Sequence, residues 1–194
     1  GLAAWMGVLN NCSDVNNNPA CDRIVVSSSF FLSQEFQLKG YFVYRFYRIA
    51  FNRRPTYTEM VTDMRAVTGT TPDEVYQKKA AYANAFTQRL EFTTAFGSVS
   101  NTSFVMTLLG RYQPTLPSII TPDPELPDST SSADKMTFDL AALSNGIDTQ
   151  KLTRAQVLRA IADSDEVFSR EFNSAFVAMQ YYGYLRRAPD DGGF

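Results

Sequence analysis

Apolar and aromatic residues recur along this chain at the three- and four-residue intervals that are typical of buried helix faces. In residues 42–56, which read FVYRFYRIAFNRRPT, apolar side chains fall at i, i+3, i+4, i+7 and i+8 from Val43. Arg53, Arg54 and Pro55 end this stretch, because proline disfavours helical geometry in the residue before it. The pattern therefore predicts an aromatic helix with a buried face.

The same reasoning predicts helices along most of the chain. Thr56 with Glu59 has the spacing of a capping box at a helix start, and Thr71 precedes a proline and two carboxylates. Thr153 with Gln156 forms a second capping box. The predicted helices cover residues 1–9, 22–37, 42–54, 56–67, 71–96, 103–112, 134–143, 153–162 and 164–186.

Some of these helices come with expectations for individual side chains. In the second predicted helix, the residues at helical spacing are Ile24, Val25, Ser28, Phe31, Leu32 and Phe36. Lys78, Lys79 and Arg89 are expected to face solvent on the long helix of residues 71–96. Asn145-Gly146 has the composition of a helix C-cap.

One segment, residues 113–132, lacks periodicity. It contains five prolines and is predicted to be an extended Pro/Ser/Thr-rich loop without secondary structure. Elsewhere Glu-Phe pairs recur ahead of Phe-Val pairs with drifting separation, which indicates divergent helical-hairpin repeats near residues 24–67, 72–112 and 153–194. The sequence therefore predicts one all-α domain over residues 1–194, an irregular multi-helix bundle of these repeats.

Composition narrows the classes of function. The 194 residues carry 18 basic and 20 acidic side chains, and the arginines are scattered, so no nucleic-acid partner is expected. No apolar run approaches the roughly 18 residues that cross a bilayer. The first 30 residues also lack a signal peptide's basic start and apolar core. A soluble chain is expected, with any export signal removed or outside it.

The only two cysteines, Cys12 and Cys21, flank the polar loop SDVNNNPA. With no His and no third thiol to supply a metal site, a short-loop disulfide is predicted, and free thiols are the alternative. A disulfide indicates an oxidising compartment, outside the cell or in a periplasm. Residues 14–18 match the opening of a calcium loop, but Pro19 stands where the loop needs Gly and Val25 where it needs Glu. A solvated turn is the favoured interpretation, with calcium as the alternative.

Catalytic candidates are few, because the chain has no His, the commonest general base. Glu35, Glu91 and Glu171 occupy similar places in the repeats, and a pair of them could serve a carboxylate hydrolase. Structural ion pairs with Arg are the favoured interpretation. No cofactor is expected. Asn11 and Asn101 fit the N-glycosylation pattern, and exposed Tyr residues could stack on sugars, so glycans remain an alternative partner.

Four pieces of the chain carry a family resemblance: GLAAW at residues 1–5, the loop between the cysteines, residues 27–51 and residues 170–194. Together they resemble the bacterial domain of unknown function numbered 4214, found in secreted or surface-associated proteins. The resemblance implies an all-helical module outside the cytoplasm without a known catalytic role.

The motif of that family runs from an aromatic helix through R-x-P-D-x-x-G-[LF]-x-x-W. Residues 187–194 resemble its first half and residues 1–5 its second half, whereas in the internal copy Pro55 is followed by Thr56. The split predicts head-to-tail contacts in which the end of one subunit completes the motif against the next. The expected interface residues are Gly1, Leu2, Trp5, Arg187, Pro189, Asp190, Asp191 and Phe194.

The leading expectation is therefore a secreted or cell-surface, non-enzymatic structural module. Its partners would be copies of itself, assembled head-to-tail into an extracellular filament, or neighbouring domains. One alternative is a surface adhesion module that binds glycan or calcium. Another is a trimmed domain of a larger secreted protein.

Overall fold

The computed structural model describes residues 2–112, 114–123, 135–190 and 192 of the chain. These residues form mostly helix, together with a 3-10 turn at Pro19–Cys21, a π-helical turn at Tyr181–Leu185 and two short strands. The elements are α1 (Leu2–Asn10), α2 (Arg23–Phe31), α3 (Gln34–Leu38), α4 (Gly40–Phe51), α5 (Tyr57–Ala66), α6 (Pro72–Thr87), α7 (Leu90–Phe96), α8 (Asn101–Leu109), β1 (Ser118–Pro122), β2 (Lys135–Asp139), α9 (Leu140–Asp148), α10 (Arg154–Asp163) and α11 (Asp165–Gln180).

The aromatic helix α4 lies at the centre of the bundle. Every side chain of residues 41–47 is buried, and α4 packs against α3, α5, α10 and α11. A helix covered on all sides is typical of the interior of a bundle. Edge-to-face ring contacts extend the core from Phe46 to Tyr82 and Phe86 of α6, with centroids 5.2 and 5.4 Å apart. The all-α fold class is thus confirmed.

The capping signals in the sequence act where they were predicted. Thr56 and Glu59 form a reciprocal capping box at the start of α5, and Thr153 and Gln156 form another at the start of α10. The Thr71 side chain accepts a hydrogen bond from the Glu74 amide, as expected of an N-cap. Helix α4 ends at Phe51, and its C-cap Asn52 adopts left-handed geometry with φ of 53°.

Two predicted long helices are each divided in two. The predicted helix of residues 22–37 breaks at Ser33 and that of residues 71–96 breaks at Arg89, and both residues are extended. The extended backbone at Arg89 lets its guanidinium group bind Asp63 of α5, whose Oδ1 lies 2.7 Å from Nη2. The expectation that Arg89 and Lys79 face solvent was wrong, because Arg89 is half-buried at this contact and Lys79 is buried.

The segment predicted to be a structureless loop contains a strand. Strands β1 and β2 pair antiparallel, with Ser118 opposite Asp139 and Pro122 opposite Lys135. Ile119 is buried, and the Thr121 hydroxyl group donates to the Ala160 carbonyl oxygen of α10 at 2.8 Å. The prolines therefore bound the strand instead of preventing it, as expected at strand ends.

The helix predicted over residues 134–143 was also misplaced, since β2 occupies its first half and α9 begins at Leu140. Gly146 lies inside α9 and not at its C-cap, which is Thr149. Leu152 packs within 2.7 Å of the position that a Cβ atom would take, so a side chain at residue 146 would clash with it. Among the described residues, no helix has the length and apolar character needed to cross a membrane. The repeat boundaries stay a prediction.

Candidate functional site

The two cysteines are paired as predicted. Cys12 and Cys21 form a disulfide with Cα atoms 5.5 Å apart, which joins the end of α1 to the turn before α2. In the enclosed loop, both carboxylate oxygens of Asp14 accept hydrogen bonds from within the loop, from the Asn16 amide and the Asn17 side chain. The geometry is that of an Asx turn. Within the described ranges, no group of three or more His, Cys, Asp or Glu side chains is placed to hold a metal ion.

The three glutamates singled out in the sequence each bind a different basic side chain. Glu35 pairs with Lys39 at 2.8 Å, which lowers its pKa. Glu91 and Glu171 pair with two different arginines of the α4 region, at 2.7 and 3.4 Å, and Glu171 is buried. These contacts agree with the ion-pair interpretation. The arginines are Arg53 for Glu91 and Arg48 for Glu171.

Arg53 joins two carboxylates at the end of α4. Its guanidinium group binds Glu59 at 2.7 Å in addition to Glu91, and its charge lies over the ring of Tyr47. Burial alone would raise the pKa of Glu59, but hydrogen bonds from Arg53 and Thr56 outweigh it and lower the pKa to about 2. Arg53 therefore fastens α4 to α5 and α7.

The predicted interface residues occupy different environments. Arg187 and Asp190 are exposed and bind each other at 2.7 Å. Pro189 is buried, and its carbonyl oxygen accepts a hydrogen bond from Arg54 of the same chain at 3.2 Å. The placement of these residues at a subunit contact stays a prediction. Gly1, Asp191 and Phe194 lie outside the described residues, as does the side chain of Leu2.

Trp5, the remaining predicted interface residue, lines an apolar groove between α1, α2 and the π-helical turn. The groove has a volume of about 320 Å³. The Tyr184 hydroxyl group donates to Ser27, and its ring lies 5.4 Å from that of Phe31, so the π-helical turn forms one wall. The lining residues are Trp5, Met6, Leu9, Arg23, Val26, Ser27, Phe30 and Tyr184.

Exposed apolar side chains concentrate on the elements that form the apolar groove. Of the residues at helical spacing in the second predicted helix, Phe31 is buried, but Ile24, Val25 and Leu32 are exposed. Helix α2 packs inward through Val26 and Phe31 and leaves Ile24 79% exposed. None of the described side chains of α1, which reads LAAWMGVLN, is buried. The exposed large apolar residues in these elements and the adjoining loops are Met6, Val8, Val15, Ile24, Val25, Leu32, Tyr184 and Leu185.

A second cavity, the charged cavity, lies where α3, α4, α6 and the α10–α11 junction meet. Asp163, whose side chain is 13% exposed, belongs to the lining, and three cations surround it. Lys79 Nζ lies 3.1 Å, Arg45 Nη2 3.5 Å and Arg159 Nε 3.7 Å from its oxygens. The cavity measures about 340 Å³, and its lining residues are Gln34, Gln37, Leu38, Arg45, Tyr76, Lys79, Pro122, Asp163, Asp165 and Phe168.

The protonation of this cluster follows from burial and mutual charge. Burial alone would raise the pKa of Asp163, but the charges of Lys79, Arg159 and Arg45 outweigh it and lower the pKa. The pKa of Lys79 is lowered, chiefly by burial, with Asp163 opposing the shift. Burial likewise lowers the pKa of Arg45. Arg45 and Lys79 lie on helices distant in the chain from Asp163, so no local pattern in the sequence could reveal their contacts with it. Only the Arg159–Asp163 pair has the i, i+4 spacing of a single helix.

A further buried carboxylate has a different environment. Asp63 accepts hydrogen bonds from the hydroxyl groups of Tyr47 and Tyr82, both at 2.9 Å, and from two nitrogens of Arg89 at 2.7 and 2.8 Å. Arg89 therefore balances the charge of Asp63, and both carboxylate oxygens of Asp63 have hydrogen-bond donors within the core. Such a network is typical of a structural contact.

Comparison with protein-family models, with curated proteins and with solved structures finds no match for this chain. The resemblance to the family of domain 4214 therefore stays a prediction. The class defined by the described residues is a disulfide-bridged helical bundle with an apolar groove and a charged cavity.

Proposed function

We propose that this protein is a secreted or cell-surface structural module, without enzymatic activity, that associates with copies of itself through the apolar groove. The observation that carries the proposal is α1. This helix contains no charged residue, yet none of its described side chains is buried. A helix that is apolar around its circumference is normally covered by other protein, and large exposed apolar surfaces mark contact sites.

The choice of a second copy as the partner rests on self-complementarity. The same elements supply a concave feature, the apolar groove, and protruding apolar side chains such as Ile24 and Leu185. Two copies related by a twofold axis can place the protrusions of each in the groove of the other. Head-to-tail contacts would instead propagate into the filament that the split motif predicts, and would need a second surface on each copy.

Two further features support the proposal, one for the compartment and one for the non-enzymatic role. The Cys12–Cys21 disulfide is typical of oxidising compartments. Glu35, Glu91 and Glu171 are each bound to a basic side chain, so the carboxylates that a hydrolase would need already act as ion-pair partners.

The test compares two methionines with similar exposure on nine-residue helices. Met6 lines the apolar groove and is 47% exposed, whereas Met106 is 54% exposed on α8. A Met6→Glu substitution places a charge in the contact and is expected to convert oligomers to monomers, while Met106→Glu leaves the assembly unchanged. Light scattering during size-exclusion chromatography across a dilution series measures the mass of each variant.

Electron microscopy of the unsubstituted protein separates the two modes of assembly, since filaments indicate head-to-tail contacts and discrete pairs indicate twofold contacts. A protein that stays monomeric at every concentration would contradict the proposal. Equal effects of the Met6 and Met106 substitutions on molecular mass would also contradict it.

A further inference from the structure

The charged cavity holds more buried positive than negative charge. Arg45 and Lys79 are each 3% exposed, and both rely on the same oxygen, Oδ1 of Asp163, for their carboxylate contact. One carboxylate cannot neutralise both of these buried cations, and an incompletely paired buried charge is strongly unfavourable. An anion entering the cavity would therefore be stabilised.

The other carboxylate at the cavity does not restore this balance. Asp165 belongs to the lining, but its side chain is about half exposed and its Oδ1 binds Lys135 of β2 at 2.7 Å. Asp165 thus has a cation of its own at the rim and leaves the charge around Asp163 unchanged.

Both buried cations keep hydrogen-bond donors for a ligand. Arg45 donates through Nε to the Ala162 carbonyl oxygen, while its Nη2 is 3.5 Å from Asp163, beyond ordinary hydrogen-bond length. Lys79 Nζ makes one hydrogen bond, to Asp163, and carries three N–H groups, one side of it facing the ring of Phe42. Charge-assisted hydrogen bonds to a carboxylate or phosphate are the contacts that such groups favour.

The rest of the lining suits a ligand with an apolar body. Leu38, Pro122 and Phe168 contribute apolar surface, and Gln34 and Gln37 contribute amide groups. A cavity of about 340 Å³ can hold compounds up to the size of a small aromatic acid. Pockets with mainly apolar walls and a few polar groups are typical of small-molecule sites.

We propose that the charged cavity binds a small organic acid. Arg45 and Lys79 hold its anionic head, and Leu38, Pro122 and Phe168 contact its apolar body. The site is formed by elements other than α1, α2 and the π-helical turn, so it is independent of the self-association proposed above.

Three probes test the proposal by nuclear magnetic resonance titration of the side-chain amides of Gln34 and Gln37. Benzoate combines an anionic head with an apolar ring, inorganic phosphate has only the charge, and benzyl alcohol has only the ring. Saturable shifts are expected with benzoate, with weaker binding of phosphate and of benzyl alcohol. No saturable shift with benzoate, or benzyl alcohol binding as tightly as benzoate, would overturn the proposal.

Matched lysines on α6 provide the decisive substitutions. Lys79→Met removes one of the two head contacts, whereas Lys78→Met removes an equal charge from the neighbouring residue, whose side chain is 41% exposed and pairs with Glu74. Benzoate affinity is expected to fall about tenfold or more in Lys79→Met. It is expected to change by less than about twofold in Lys78→Met. Equal affinities in the two variants would contradict the assignment.

Phe168→Leu provides a test that keeps every charge and does not depend on the folding of Lys79→Met. Phe168 is half-buried and its ring lies 5.1 Å from the Arg45 guanidinium carbon. Loss of ring contact is expected to weaken benzoate binding by about threefold or more and to leave phosphate binding unchanged. An unchanged benzoate affinity would show that the apolar body is not recognised by this wall.

Discussion

Asp63 shows, at the scale of single residues, how a buried charge is accommodated in this bundle. Its side chain is 3% exposed, yet both oxygens accept hydrogen bonds, from Tyr47, Tyr82 and Arg89. A fully satisfied carboxylate of this kind stabilises the contacts among α4, α5, α6 and the α6–α7 break. Asp163 differs, because the two buried cations Arg45 and Lys79 share its Oδ1.

Replacing Asp63 by Asn should therefore be strongly destabilising. The amide keeps one acceptor oxygen and loses the charge that Arg89 needs, so the expected loss is about 3–5 kcal/mol in the free energy of unfolding. Urea unfolding followed by circular dichroism measures it. Asp73→Asn is the control, since Asp73 is exposed in the first turn of α6 and should cost about 1 kcal/mol or less. Similar losses in both variants would contradict the role of the Asp63 network.

At the scale of elements, the strand pair decides how the chain returns from α8 to α9. Strand β1 packs on α10 and α11 and carries two adjacent isoleucines in opposite environments. Ile119 is completely buried, whereas Ile120 is 41% exposed. Side chains of consecutive strand residues point to opposite faces, which explains the contrast.

The two isoleucines make a matched pair of substitutions. Ile119→Ala is expected to lower the free energy of unfolding by about 2–5 kcal/mol, because it removes buried methyl groups and leaves a cavity. Ile120→Ala, with the same chemical change on the solvent side, is expected to cost about 0.5 kcal/mol or less. Thermal and urea unfolding measure both. Equal costs would show that β1 does not pack as described.

At the scale of the whole molecule, the Cys12–Cys21 disulfide ties α1 to the bundle. Helix α1 has no buried described side chain to hold it. The Trp5 ring packs edge-to-face with the Phe30 ring of α2, with centroids 6.2 Å apart. The shape of the apolar groove therefore depends on the disulfide, since the position of α1 defines one wall of the groove.

Opening the disulfide is thus expected to affect both stability and assembly. A loop of this length contributes about 2–3 kcal/mol to the free energy of unfolding, and its loss should also weaken the proposed self-association. Cys12→Ser is compared with the unsubstituted protein under a reductant, with unfolding and molecular mass as readouts. The reductant should not alter Cys12→Ser further. Unchanged assembly after reduction would show that α1 lies outside the interface.

The sequence by itself determined the helical class, the capped helix starts and the disulfide. These features are local. The capping boxes at Thr56 and Thr153 use residues three apart, and the spacing of apolar residues in α4 predicts that the helix is buried. They follow from the backbone geometry of single elements, which short stretches of sequence specify.

The tertiary structure alone decided the breaks, the strands and both cavities. Arg89 has extended backbone geometry where its side chain binds Asp63. Residues 118–122 form a strand because they pair with β2 and pack on α10. The charged cavity joins Arg45, Lys79 and Asp163 across up to 118 positions of sequence, 163 − 45. Contacts of this range carry no local periodicity, because packing of distant elements places them. The apolar groove likewise appears only once α2 has turned Val26 and Phe31 inward.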